Sequence, residues 1–127
     1  MENIYGIIAK VFIVLVAVEH IYILWMEMFA WETVGKKTFK GALPEDMFKM
    51  TKGLAANQGL YNGFLSAGLI WSLLITDVAW QQHIASFFLI CVAVAGIYGG
   101  LTASRRILYV QALPALIGLL FLLLSKG

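Results

Sequence analysis

Two carboxylates and an imidazole, Glu19, His20 and Glu27, stand inside a stretch that is otherwise almost wholly apolar from Ile4 to Trp31. Such groups exchange protons, hold a divalent ion or orient a polar ligand. A charge at the centre of a bilayer costs at least ~2.5–3.5 kcal/mol, so ionisable residues in a run of this kind point to function. At 100° per residue His20 and Glu27 face the same way to within ~20°, and Glu19 shares a broad face with Glu27. The stripe Val16, His20, Ile23, Glu27 must therefore point at packed helices and away from lipid. Further along the chain lie polar groups to meet it. Asn57, Gln58, Tyr61 and Asn62 open the second apolar segment, with Gln58 and Asn62 four apart on one helical face. Tyr98 and Thr102 close the third. Gln111 opens the fourth, just before Pro114, whose missing N–H frees a carbonyl near Val110.

Placed by depth, these groups gather in one half of the membrane, and the other half of each segment reads as almost purely apolar. The pattern predicts a polar pocket entered from the cytoplasm. Glu19 and His20 form its floor and Glu27 its mouth, and Asn57, Gln58, Tyr61, Asn62, Tyr98 and Gln111 orient what binds.

Three chemistries compete for it. The first is a hydrogen-bond network that clamps helices together, at ~0.6 kcal/mol per interhelical bond. Amides alone would do this at lower cost than two carboxylates and a histidine. The second is binding of a small amphipathic molecule with proton-linked transport or conversion, Glu19, His20 and Glu27 moving the proton. The third is a metal, haem or quinone site in a membrane enzyme or redox subunit, with His20, Glu19 and Glu27 as the metal ligands. Against a tight metal site, glutamate and histidine are adjacent here and cannot both point one way. The spacing of the di-iron helix bundles is absent. Haem would have His20 alone as an embedded axial ligand, since His83 falls in a turn. The second reading is preferred, and the sequence names no cofactor. There is no Gly-rich phosphate loop, no H-E-x-x-H, no C-x-x-C and no Ser-His-Asp order, and Ser66, Ser72 and Ser86 have no base nearby.

The composition says what must position these groups. Of 127 residues, 61% are apolar and 13% charged, against roughly 45–50% and 25% in ordinary soluble domains. That excludes a water-soluble globule, a disordered tail and a nucleic-acid binder. One cysteine, Cys91, excludes an intramolecular disulfide and a cysteine-based zinc site. Apolar segments cover about 4–31, 57–76, 84–102 and 107–124. A helix needs ~20 residues to cross the hydrocarbon, and lipid leaves helices or closed barrels as the options. No period-two alternation supports a barrel. The expectation is an all-α, polytopic membrane protein: a single integral domain over 1–127 built as a four-transmembrane-helix bundle. The first segment is too long and too polar to be a signal-peptide core.

Lys36, Lys37, Lys40, Lys49, Lys52, Arg105 and Arg106 all fall between the first and second or the third and fourth segments, seven of the nine cations. Cytoplasmic loops carry that excess. Both termini are therefore expected outside the cell (plasma) membrane, the inner membrane in a bacterium, and the lysines against anionic lipid. Residues 44–56 read as a short amphipathic helix that starts on Pro44-Glu45-Asp46 and either lies on the membrane surface or runs into the second segment. Gly59/Gly63 and Gly96/Gly100 form GxxxG pairs, which pack helices within one chain or between two copies in a homodimer.

The motifs Glu19-His20-Ile21-Tyr22-Ile23, Glu27-Met28-Phe29-Ala30-Trp31, Asn57-Gln58-Gly59-Leu60-Tyr61-Asn62-Gly63, Ala95-Gly96-Ile97-Tyr98-Gly99 and Gln111-Ala112-Leu113-Pro114-Ala115, in this order, span nearly the whole chain. In them the sequence resembles a family of small bacterial and fungal integral membrane proteins, the domain of unknown function thirteen-oh-four. The resemblance implies a four-helix membrane protein and implies no activity. Small multidrug transporters are a more distant analogy in length and in their helix-one glutamate; the strong charge bias here argues against membership.

Overall fold

A computed structural model of the protein describes residues 2–126. It is helical throughout, in four long rods: α1 (Ile4–Phe29), α2 (Lys52–Leu74), α3 (Val78–Thr102) and α4 (Arg105–Ser125). Each begins where the sequence supplies a cap or a break. Asn3 accepts from the Gly6 N–H at 3.0 Å, Asp77 from the Trp80 N–H at 3.0 Å, and Ser104 from the Arg106 N–H at 3.3 Å. Three of the four, α1, α3 and α4, are long and apolar enough to cross a membrane. α2 is comparably long but carries Lys52, Asn57, Gln58 and Asn62 in its first half and falls outside that group.

The rods form a ring in which α1 packs on α2 and α4, and α3 packs on the same two. Ile13, Val16, Leu69, Leu89, Val92 and Ala115 fill its centre. The outward faces are apolar as well: Val14, Val18, Ile21 and Trp25 on α1, Phe87, Ile90 and Val94 on α3, and Leu116, Leu120 and Leu123 on α4 are all exposed. Both GxxxG pairs sit in seams inside the chain. A Cβ on Gly59 would lie 3.1 Å from the Leu24 carbonyl oxygen, and one on Gly63 would strike the Leu24 side chain, so this pair sets the α1–α2 approach. A Cβ on Gly96 would lie 2.6 Å from the Ala112 main-chain nitrogen, and one on Gly100 2.6 Å from Leu108 Cβ, so that pair sets α3 against α4.

Two π turns interrupt the rods, one after α1 at Trp31–Gly35 and one within α4 at Leu108–Ala112. Wide turns of this type often mark functional positions. In the second, the Leu113 N–H reaches back five residues to the Leu108 carbonyl, and Pro114 follows with no N–H to give.

The expected amphipathic helix over 44–56 is not one element. A single turn at Met47–Met50 stops, and α2 begins at Lys52. Thr51 is the reason. Its hydroxyl donates to the Met47 carbonyl at 2.8 Å and accepts from Trp31 Nε1 at 2.9 Å. The indole packs between Phe39 and Phe48, with ring centroids 5.6 Å and 5.2 Å away. This aromatic knot pins the loop across the ends of α1 and α2. Thr51→Val deletes the acceptor for a half-buried indole and is expected to lower unfolding free energy by about 0.5–1.5 kcal/mol. Gly53→Ala adds a Cβ into open space on a helix and is expected to leave stability unchanged or raise it. Unfolding in mixed micelles checks both.

Candidate functional site

α1 buries one stripe against its neighbours: Gly6, Ala9, Ile13, Val16, Ala17, His20, Ile23 and Met26. His20 lies in the middle of it and is 0% exposed. Its Nδ1 sits 2.9 Å from the Val16 carbonyl oxygen one turn back. A carbonyl only accepts, so Nδ1 carries the hydrogen of that bond. Nε2 is buried with no hydrogen-bond partner among the described residues. Glu19 is half-buried, and its Oε1 is likewise enclosed without a partner. Two turns along, Asn62 Nδ2 donates to Glu27 Oε1 at 2.6 Å, the shortest side-chain tie between α1 and α2. The Ser66 hydroxyl donates to the Ala17 carbonyl at 2.8 Å, one turn from His20.

α4 runs antiparallel to α1, with Asn3 bonded to the Ser125 carbonyl at 3.1 Å and Gly118 facing Phe12, whose Cβ would lie 3.4 Å from a Cβ at that glycine. Equal rise along both helices then puts His20 at the depth of the π turn Leu108–Ala112, which carries Gln111. Gln111 is half-buried.

Of the residues expected at the site, Glu27 and Asn62 are in contact, and His20, Glu19 and Gln111 lie inside the bundle or at its edge. Asn57, Gln58, Tyr61 and Tyr98 are exposed. α2 buries Ala55, Gly59, Ser66 and Leu69, so Asn62 falls at the edge of the packed face and Gln58, a turn earlier, falls off it. Tyr61 packs on Phe64 with centroids 5.9 Å apart, and the Tyr98 carbonyl accepts from the Thr102 hydroxyl at 2.7 Å. His83 stands edge-on to Trp80 in the first turns of α3.

The metal arrangement does not form. Among the described residues no three His, Cys, Asp or Glu side chains converge so as to hold an ion. Glu19 and His20 are consecutive and diverge by ~100°, and Glu27 is about 10 Å farther along the helix axis, tied to Asn62.

Two clefts stand out, and neither is lined by Glu19, His20 or Glu27. One, of about 470 Å³, lies where the N-terminal end of α1 meets the C-terminal end of α4. The other, of about 380 Å³, lies in the loop between Lys36, Lys40, Leu43 and Phe48. Sequence reading missed the first because its lining comes from helix ends far apart in the chain. It missed Ser66, whose partner is a main-chain carbonyl that no side-chain pattern announces.

The family model described as "Protein of unknown function (DUF1304)" matches residues 14–123, most of the chain. The chain belongs to the DUF1304 family. The matched stretch includes every residue of the α1 stripe from Val16 to Glu27, and Asn62 and Gln111 with it. This DUF1304 protein is also similar to the Uncharacterized protein YpaA of Lactococcus lactis subsp. lactis (strain IL1403), 30% identical over 114 residues that cover 84% of this chain and 88% of that protein. No solved structure matches it.

Proposed function

We propose that this DUF1304 protein crosses the cell membrane four times with both termini outside, and that it binds a small amphipathic molecule in a polar seam open toward the cytoplasm, exchanging a proton with it. As the fourth crossing, α2 has 23 residues, about 34 Å at 1.5 Å per residue, and it packs between α1 and α3. The cation-rich connections flank one end of the bundle, which supports the orientation.

The observation that carries the functional reading is the bare Nε2 of a wholly buried His20. Leaving a buried polar atom unpaired costs about 1–3 kcal/mol, and native interiors hold few such atoms without a use for them. The preceding residue on α1 holds a second unpaired atom, Glu19 Oε1, on a different face, and the Glu27–Asn62 pair lies two turns toward the proposed mouth. Asn57, Gln58, Tyr61 and Tyr98 would be the outer contacts at that mouth, and Gln111 an inner one.

The test is calorimetric titration of protein in lipid nanodiscs with an amphipathic cation, an anion and a neutral probe: tetraphenylphosphonium, tetraphenylborate and a short-chain ubiquinone. Each is run in two buffers of different ionisation enthalpy. Saturable binding of one probe with a buffer-dependent enthalpy, whose slope counts the protons exchanged, is expected, and it is lost in Glu19→Gln or His20→Asn. Folded protein that binds none of them, or binds equally in both variants, contradicts the proposal.

A further inference from the structure

The cleft at the end carrying both chain termini lies at the opposite end of α1 from Glu27 and rests on different residues. We propose that it is a second binding site, for a small zwitterion with an aliphatic body. Its wall carries an ion pair, Lys10 Nζ to Glu2 Oε1 at 2.9 Å, with both side chains about two-fifths exposed. Gly6 gives the pair room: a Cβ there would lie 2.9 Å from Glu2 Cγ, so Glu2 lies along α1 toward Lys10 where a larger residue would make it shift.

Beside the pair stand two amides from α3. Gln81 gives one N–H to the Ile75 carbonyl at 3.4 Å, and Gln82 one to the Ser125 hydroxyl at 3.3 Å. Each amide keeps a second N–H and a carbonyl oxygen. Asn3 is different, since its side-chain oxygen caps α1 and its nitrogen is bonded to the Ser125 carbonyl, so it holds the wall in place. The floor is apolar, made of Ile13, Leu73 and Leu122. The volume of about 470 Å³ falls in the range of about 300–1,000 Å³ usual for small-molecule pockets.

The charges choose the ligand class. A lone anion drawn to Lys10 meets Glu2 beside it, and a lone cation drawn to Glu2 meets Lys10. A molecule with both an ammonium and an acid group lays its charges antiparallel to the pair and gains from both. Its aliphatic part then covers the floor. Two sources offer this chemistry: a free aliphatic amino acid and the headgroup of an ethanolamine phospholipid.

The full chain is placed in phosphatidylglycerol nanodiscs and titrated with L-leucine, with isoamylamine (leucine without its carboxylate) and with 4-methylpentanoate (leucine without its amine). In parallel, native mass spectrometry records which lipid stays bound from an equal mixture of phosphatidylethanolamine and phosphatidylglycerol. Leucine binding at least tenfold tighter than either half-molecule supports a free ligand. Preferential retention of phosphatidylethanolamine supports a lipid one. Either effect should fall at least tenfold in Lys10→Met and in Glu2→Gln and persist in Gly53→Ala. The proposal is overturned if neither zwitterion is preferred over singly charged competitors, a comparison that needs no variant. It is equally overturned if folded Lys10→Met and Glu2→Gln bind as the parent does. Glu19→Gln and His20→Asn leave this site intact, so its failure is separable from failure of the seam.

Discussion

Asn62→Leu is expected to lower the unfolding free energy by about 1–3 kcal/mol, the cost of leaving a buried acceptor without its donor. Asn62 Nδ2 is the hydrogen-bond donor to Glu27 Oε1, at 2.6 Å, and no other donor to that carboxyl is found among the described residues. The glycine seam makes relief difficult. A Cβ on Gly59 would lie 3.0 Å from Glu27 Cβ and 2.8 Å from Met28 Cγ, so α1 and α2 are already tightly packed where the Glu27 side chain leaves its helix. Glu27→Gln keeps an acceptor at the same place and is expected to cost less than 1 kcal/mol. In a double-mutant cycle with Glu27→Leu, the coupling should approach ~1.7 kcal/mol, the upper end of interhelical bonds measured in membranes. A cycle that closes at zero coupling would mean that Asn62 and Glu27 do not meet in the bilayer.

His20→Leu should move stability the opposite way. Leucine removes a buried nitrogen without a partner and fills a similar space among Val16, Ala17 and Ile23. Relieving that atom is worth about 1–3 kcal/mol, and the lost Nδ1 bond to the Val16 carbonyl costs about 1. The net expectation is unchanged to modestly raised stability, together with loss of proton-linked probe binding. Gain in fold with loss of activity is the pattern of a residue kept for use. A histidine serving only as a clamp predicts the reverse: His20→Leu destabilises and probe binding survives in what remains folded.

Val16, His20 and Ile23 of the α1 stripe were legible in the sequence, because a helix repeats every 3.6 residues and a mid-membrane imidazole has few places to go. Matching depths across antiparallel helices set Asn57 and Gln58 level with Glu27 and Asn62 a turn deeper, toward His20. It is Asn62 that meets Glu27, whereas Asn57 and Gln58 are exposed, because the close-packed face of α2 is set by Ala55, Gly59 and Ser66. The π turn at Leu108–Ala112 was only half visible. Pro114 announced a missing donor; nothing in the sequence announced that the turn lies on the glycine seam, where Gly96 and Gly100 bring α3 against Ala112 and Leu108. The amphipathic stretch after Pro44 looked continuous because periodicity does not register a threonine that bonds back on its own turn and takes the Trp31 indole as donor. Reading the terminal half of the bundle as almost purely apolar gave no role to Glu2, Lys10, Gln81 and Gln82, polar residues near the starts of α1 and α3 that line one cleft only once the ring is closed.

The buried imidazole itself is the most direct point of test. Nitrogen-15 NMR of histidine-labelled protein in lipid bilayers gives two side chains, separated by His83→Gln. His20 is expected to carry its proton on Nδ1, bonded to a carbonyl, with Nε2 unbonded in the protein alone and perturbed when a saturating probe is added. A His20 ring protonated at Nε2 and hydrogen-bonded there to the protein, or one that no probe disturbs, contradicts this.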